Sequence, residues 1–191
     1  MKNTTLKLEK RNEVGGGRAG RLRERGLIPA VVYGRDMAST AASVNRNALR
    51  AFLKNNGRNS VFNTEFAEEH DMSILIKDIQ YDAVKKDIVH LDFQRVNSNE
   101  KIQVEVPVRI IGREMIEKTG NVVAHQLNSV TVECLPGDIP QHADADISAL
   151  KPGHSFTAGD FIFPRGVTML SKPGDIVLTV NGHEKEALPE T

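Results

Sequence analysis

The sequence predicts a mainly β protein divided into two domains. Three observations carry that expectation. Apolar and polar residues alternate at period two, most cleanly in IQVEVPVRIIG: Ile102, Val104, Val106, Val108 and Ile110 point one way, Gln103, Glu105 and Arg109 the other. Gly/Pro clusters (LPGDIP, LKPGHS, SKPGD) cut the second half into short pieces. The charge also changes sign along the chain. The formal net charge is +0, but residues 1–96 hold 17 Lys/Arg against 12 Asp/Glu (+5) and residues 97–191 hold 8 against 13 (−5). The polar stretch RVNSNEK lies where the sign changes, and it sets the expected domains at 1–96 and 97–191. With no Trp and few aromatics, both cores must rest on Val, Ile and Leu.

In chain order, TLKLEKR alternates and reads as a strand. Gly15 to Gly17 form a loop, and Arg18 to Arg25 a helix of about two turns, stopped by Gly26 and Pro29. AVVYG is the next strand. Asn45 or Asn47 caps a helix whose Leu49, Phe52 and Leu53 are spaced i, i+3, i+4, and Gly57 ends it. SVFNTEF, MSILIKDIQY and DIVHLDFQRV are strands. In the second half IQVEVPVRIIG, NVVAHQL, SVTVECL, FIFPRG and DIVLTVN read as strands, which makes that half all-β, and EKEALPET as a loose tail. In DADIS the acids are expected in solvent, with Ile147 and Leu150 dipping into the core.

Several function classes are set aside. Cys134 is the only cysteine, so no internal disulfide forms, which fits a reducing compartment. MKNTTLKLEK has no apolar h-region and no apolar run approaches the roughly 20 residues of a membrane span. The expectation is a cytoplasmic protein. The six histidines lack metal-ligand spacing, and DADIS lacks the calcium-loop pattern and its glycine. His90 and Asp92 lack an accompanying Ser or Cys nucleophile motif. No metal, cofactor, small-molecule substrate or catalytic residue is expected.

The most informative stretch is GGGRAGRLRERGLIPAVVYG, from Gly15 to Gly34. Gly15-x-Gly17-x-x-Gly20 matches a dinucleotide-binding fingerprint, with Asp36 where the ribose-binding acid belongs. This alternative reading is a nucleotide-dependent enzyme. Its context is poor: TLKLEKR alternates with charges where a parallel Rossmann strand reads as a continuous apolar run, and the helix is too short for a crossover. The arginines favour a polyanion. On a helical wheel Arg18, Arg21 and Arg25 fall within roughly 60° of one another. Glycines let a phosphate backbone come close, and a helix N-terminus attracts anions. A solvated basic helix beside a flexible loop accounts for the same composition. Likewise, His90 and Asp92 alternate with Leu91 and Phe93, which puts the first pair on the outer face of a strand, either as RNA contacts or as a surface pair without a partner. Tyr33 either stacks on a base or sugar or closes the sheet end.

GRAGRLRERGLIPAVVYG and KDIQYDAVKKDIVHLDFQRV resemble a bacterial ribosomal family, the Ctc-type (general stress) 5S rRNA-binding proteins of the large subunit. The resemblance extends to the long, two-domain form through the IQVEVPV start and DIVLTV end of the second half. It implies a six-stranded N-terminal β-barrel with a few helices and binding of 5S rRNA through a widened minor groove and flanking phosphates. By position it implies contacts from Arg11, Arg21, Arg23, Tyr33, Lys77, Gln80, His90 and Asp92. Where the family often has Gly-Lys-Gly and Arg-Arg-Leu-Arg, this chain has Gly16 and Gly20, and Arg18 is the natural substitute. Gly15 and Gly17 join the expected contact set as the loop that admits a phosphate. The implied partners are 5S rRNA and the large ribosomal subunit, including rRNA and neighbouring ribosomal proteins. The implied role is structural, at the ribosome, with no enzymatic activity.

Overall fold

The structure is a computed structural model that describes residues 6–11, 16–66 and 69–182. The chain forms two compact units, Met1–Val104 with Leu135–Gln141, and Glu105–Cys134 with His142–Thr191. In the first unit the polar RVNSNEK stretch is held by Arg35, which pairs with Glu100 at 2.6 Å, and just beyond it Lys77 Nζ donates to the Gln103 carbonyl at 2.5 Å.

The first unit contains β1 (Leu8–Lys10), α1 (Gly16–Glu24), β2 (Leu27–Gly34), β3 (Met37–Asn45), α2 (Arg46–Asn56), β4 (Val61–Phe66), β5 (Glu69–Tyr81) and β6 (Ile88–Arg95). Its strands make one curled six-stranded sheet in the order β1-β3-β2-β6-β5-β4, antiparallel except for the β2–β6 pair. The buried Thr64 hydroxyl on edge strand β4 donates to the Leu6 carbonyl at 2.7 Å, just before the opposite edge strand β1. The sheet thereby curls around Ile28, Ala30, Val32, Ala42, Val44, Ile74, Ile76, Leu91 and Phe93.

Helix α2 closes this core with Leu49 and Phe52, and the Phe52 ring lies 4.5 Å from that of Phe62. Of the two candidate caps, Asn45 is the one used: its side chain accepts from the Asn47 and Ala48 N–H groups at 3.0 and 3.1 Å. Gly57, at φ 77°, ends the helix. Helix α1 begins at Gly16, so Gly16 and Gly17 belong to its first turn and not to a loop.

Strand β3 has no counterpart in the sequence reading. MASTAASVN is dominated by small residues with little apolar contrast, and it becomes a strand by pairing with β2 and β1 on either side. The β2–β6 contact needs a glycine: a Cβ on Gly34 would lie 2.8 Å from Arg95 Cβ.

The second unit contains β7 (Ile102–Ile111, entering from the first unit), α3 (Arg113–Lys118), β8 (Val122–His125), β9 (Ser129–Cys134), β10 (Ala143–Asp146), β11 (Ser155–Thr157), a 3₁₀ turn (Ala158–Asp160), β12 (Thr168–Met169) and β13 (Ile176–Asn181). The sheets run β10-β7-β9-β12 and β11-β13-β8. Ile116, Val123, Ala145, Ile147, Phe156, Val177, Leu178 and Val180 are buried in one cluster.

Two expectations change here, and one strand appears that the sequence reading did not name. FIFPRG is not a strand: it follows the 3₁₀ turn, Phe161 stacks near Phe163 at 5.8 Å, Ile162 is 96% exposed, and Pro164 removes an N–H donor. ADAD is a strand, its alanines buried and its acids outward, with Asp144 gripped by both Nε and Nη2 of Arg109 at 2.7 Å. The half also carries one helix, α3, which packs Ile116 inward.

Gly112 precedes α3 at φ 85°, and a Cβ there would sit 2.9 Å from the Ser148 backbone. Gly112→Ala should therefore destabilise the second unit by more than about 1 kcal/mol, through both the left-handed backbone and the clash. Urea unfolding of the full chain, followed by hydrogen exchange at Val177 to Val180, would show it. Unchanged protection there would mean that the loop yields freely.

Candidate nucleic-acid interface

Strand β6 builds the site by alternation. Leu91 and Phe93 are fully buried, so His90, Asp92 and Gln94 face outward. On one side, parallel pairing sets Val31 beside Asp92 and Tyr33 beside Gln94. On the other, antiparallel pairing sets Asp78 opposite Asp92 and Gln80 opposite His90.

A β-bulge decides what β5 shows. Ile74 and Ile76 point into the core, and strict alternation would send Asp78 and Gln80 after them. The register shifts between Ile76 and Asp78, so Ile79 turns inward and Asp78 and Gln80 turn out. Tyr33, Gln80, His90 and Asp92 thus share one face of three adjacent strands. They form a row of acceptors and mixed donors beside an aromatic ring.

His90 Nδ1 lies 3.0 Å from Asp92 Oδ1, an ion-pair distance whose geometry makes no hydrogen bond, and that nitrogen is itself buried and unsatisfied. Tyr33 is half-buried. Desolvation, then the charges of Asp92 and Asp78, hold its phenol above the ordinary value, because each opposes the phenolate.

Helix α1 carries the cations. It has no acid in its first turn. Gly17 is exposed, with open space where a Cβ would stand. Arg18 and Arg21 are exposed, and among the described residues Arg21 makes no side-chain hydrogen bond or ion pair. Arg23 is half-buried and reaches β6, its Nη1 3.5 Å from the Val89 carbonyl, while its own carbonyl accepts from Arg46 Nη2 at 2.8 Å. Arg25 falls in the turn beyond the helix.

Two further expected contacts are already engaged. Arg11 Nε donates to the Ala42 carbonyl at 2.6 Å, and burial lowers its pKa. Lys77, at the bulge, holds Gln103. Gly15 lies outside the described residues. The sequence reading missed Asp78 and its partner Arg58, 3.3 Å away. The signal was the broken alternation in ILIKDIQ, where the apolar phase slips by one residue.

The dinucleotide reading fails on topology. Gly17 and Gly20 lie within α1, and β3 separates β1 from β2, so the fingerprint sits in no parallel βαβ unit.

Comparison with known proteins agrees. Residues 6–93 match the Ribosomal L25p family, and residues 101–184 match the C-terminal domain of ribosomal protein TL5. The chain is 38% identical over 181 residues to large ribosomal subunit protein bL25 of Thermoanaerobacter sp. (strain X514), covering 94% of this chain and 89% of that one. It is 39% identical over 181 residues to the bL25 of Caldanaerobacter subterraneus subsp. tengcongensis (94% and 90% covered). With the bL25 of Pelobacter propionicus it shares 35% over 188 residues (97% and 94%). The chain belongs to the bL25 family. The enzyme alternative is thereby withdrawn, and the His90–Asp92 pair needs no catalytic account.

Because Asp92 is one cause of the raised Tyr33 pKa, Asp92→Asn should lower it toward about 10. The sign follows from linkage. A folded-state pKa above the unfolded one favours the neutral phenol, so Tyr33 costs the fold nothing below about pH 10 and costs it stability as pH rises through the folded pKa. Ultraviolet difference titration of wild type and variant would check this. An unmoved Tyr33 transition would show that the carboxylate lies too far from the phenol to act on it.

Proposed function

We propose that the first unit binds 5S rRNA through the outer face of β2, β6 and β5 together with helix α1. The broader assignment rests on family membership: the chain is a structural protein of the large ribosomal subunit, not an enzyme, and works in the cytoplasm on the ribosome. The observation that best supports the finer reading is the convergence of Tyr33, Gln80, His90 and Asp92 on one face, with α1 reaching that face through Arg23.

The two parts do different chemistry. Arg18 and Arg21 neutralise phosphates, a sequence-independent gain from released counterions. Arg23, tethered to β6, holds the helix against the sheet as well as presenting charge. The sheet face supplies direction. Asp92 accepts from a base amino group or a 2′-hydroxyl, Gln80 and His90 donate or accept, and Tyr33 offers its ring to a sugar or base. RNA with a wide, shallow minor groove is the form that a convex, half-buried β surface can meet. Arg11 and Lys77 contribute by fixing β1–β3 and the bulge, with the rest of the Arg11 guanidinium left for a phosphate. The second half, at −5, is unsuited to a phosphate-lined surface, and we assign it to neighbouring ribosomal proteins.

Filter binding of 5S rRNA at several salt concentrations separates these roles. Arg21→Ala should weaken binding and lower the log–log salt slope by roughly 0.7 to 0.9. His90→Ala and Asp92→Ala should weaken it with the slope unchanged, by about 1.5–3 kcal/mol for Asp92, whose lost bond is charged. Circular dichroism establishes first that each variant is folded. Wild-type slope and affinity in all three would dismiss this face as the contact surface.

A further inference from the structure

Asp78 is a misfit on an RNA-binding face. It stands directly opposite Asp92, so two carboxylates share one cross-strand pair, an arrangement that works against the sheet. Both are open to solvent, their side chains 48% and 33% exposed, and both charges bear on the Tyr33 phenol. Among the described residues one permanent cation is paired with them: Arg58, from the loop after α2, places Nη2 3.3 Å from Asp78 Oδ1, while the His90 imidazole lies beside Asp92. Arg58 offsets one of the two negative charges and leaves the pair's acceptor oxygens in surplus. Long-range electrostatics disfavours both acids beside a phosphate backbone.

The chemistry of the pair says what such an arrangement is good for. An ionised carboxylate only accepts hydrogen bonds. In the minor groove most base atoms are acceptors as well, namely purine N3 and pyrimidine O2. The donors are the guanine amino group and the ribose 2′-hydroxyl. A paired carboxylate therefore repels a groove edge of acceptors and rewards one that offers donors.

We propose that Asp78 is a specificity-determining residue of the RNA face, acting with Asp92 as a double acceptor for N–H or O–H donors of the RNA minor groove, with Arg58 holding it in place at the rim. This rests on the 5S rRNA reading above and deepens it. The pair trades sheet stability and non-specific attraction for discrimination.

The test is Asp78→Asn in the full chain, which keeps size and removes charge. Wild-type binding to 5S rRNA in the same assay tests the underlying reading. If wild type binds, the variant tests Asp78 alone. Removing an acid from a phosphate-facing surface should by electrostatics alone tighten binding, and removing a like-charge pair should leave the melting temperature unchanged or higher. The proposal requires the opposite sign for binding: affinity about tenfold or more weaker, with no loss of melting temperature and no change in salt slope. Equal or tighter binding overturns it. So does weaker binding with a lowered melting temperature, which would make Asp78 a structural ion-pair partner of Arg58. Interference mapping with inosine or 2′-deoxynucleotides scattered through 5S rRNA identifies the donor. Interference that wild type shows and Asp78→Asn loses marks a guanine amino group in the first arm and a 2′-hydroxyl in the second, and no such position in either arm overturns the acceptor role.

Discussion

The register of β6 between β2 and β5 is the constraint on which the first unit depends. The same eight residues supply two buried core side chains, Leu91 and Phe93, and the outward His90, Asp92 and Gln94. Slipping β6 by one residue against its neighbours would drive a carboxylate and an imidazole inward and put Leu and Phe in water. Burial of Leu91 and Phe93 thus fixes where His90 and Asp92 point. The positioning of the polar face is a by-product of the hydrophobic effect and needs no hydrogen bonds of its own. That explains how His90 and Asp92 can lie 3.0 Å apart without a hydrogen bond between them.

The neighbours must deliver their own residues to that face in phase. On β2 plain alternation suffices, with Ile28, Ala30 and Val32 inward and Tyr33 outward. On β5 it does not, and the bulge at Lys77 restores the phase. The bulge leaves Lys77 without a ladder position, and its ammonium is occupied by the Gln103 carbonyl. A local irregularity in one strand, a tethered lysine and the outward carboxylate of Asp78 are therefore one structural event. Gly34 permits the close approach of β2 to β6 at Arg95, which keeps Tyr33 beside Gln94.

Much of this was legible in the sequence, and what was not has a physical reason. DIVHLDFQRV declares its two faces because large apolar and polar residues alternate without exception from His90 to Gln94. NRNALRAFL declares a helix because its cap and its apolar stripe agree. MASTAASVN declares nothing: alanine and serine fit either face of a strand, and only pairing on both sides makes it one. FIFPRG misleads because three large apolar residues resemble a buried strand, while Pro164 and the preceding turn prevent pairing. At the site, the outward direction of His90 and Asp92 followed from period two. The engagement of Arg11 and Lys77 did not, because their partners are backbone carbonyls 31 and 26 residues away, which no spacing encodes.

The distribution of charge completes the account. Residues 1–58 hold 13 Lys/Arg against 4 Asp/Glu, yet the chain as a whole is neutral. A uniformly basic protein of this size would bind any polyanion. Here attraction is concentrated near α1, and acids stand both on the β5–β6 face and throughout the second half. On the proposed reading, counterion release brings RNA to the helix without regard to sequence. On the same reading, the carboxylates penalise every approach that fails to offer donors to the sheet. Under the proposed reading, affinity and discrimination are carried by different elements with opposite charge, and the second works because the first is local.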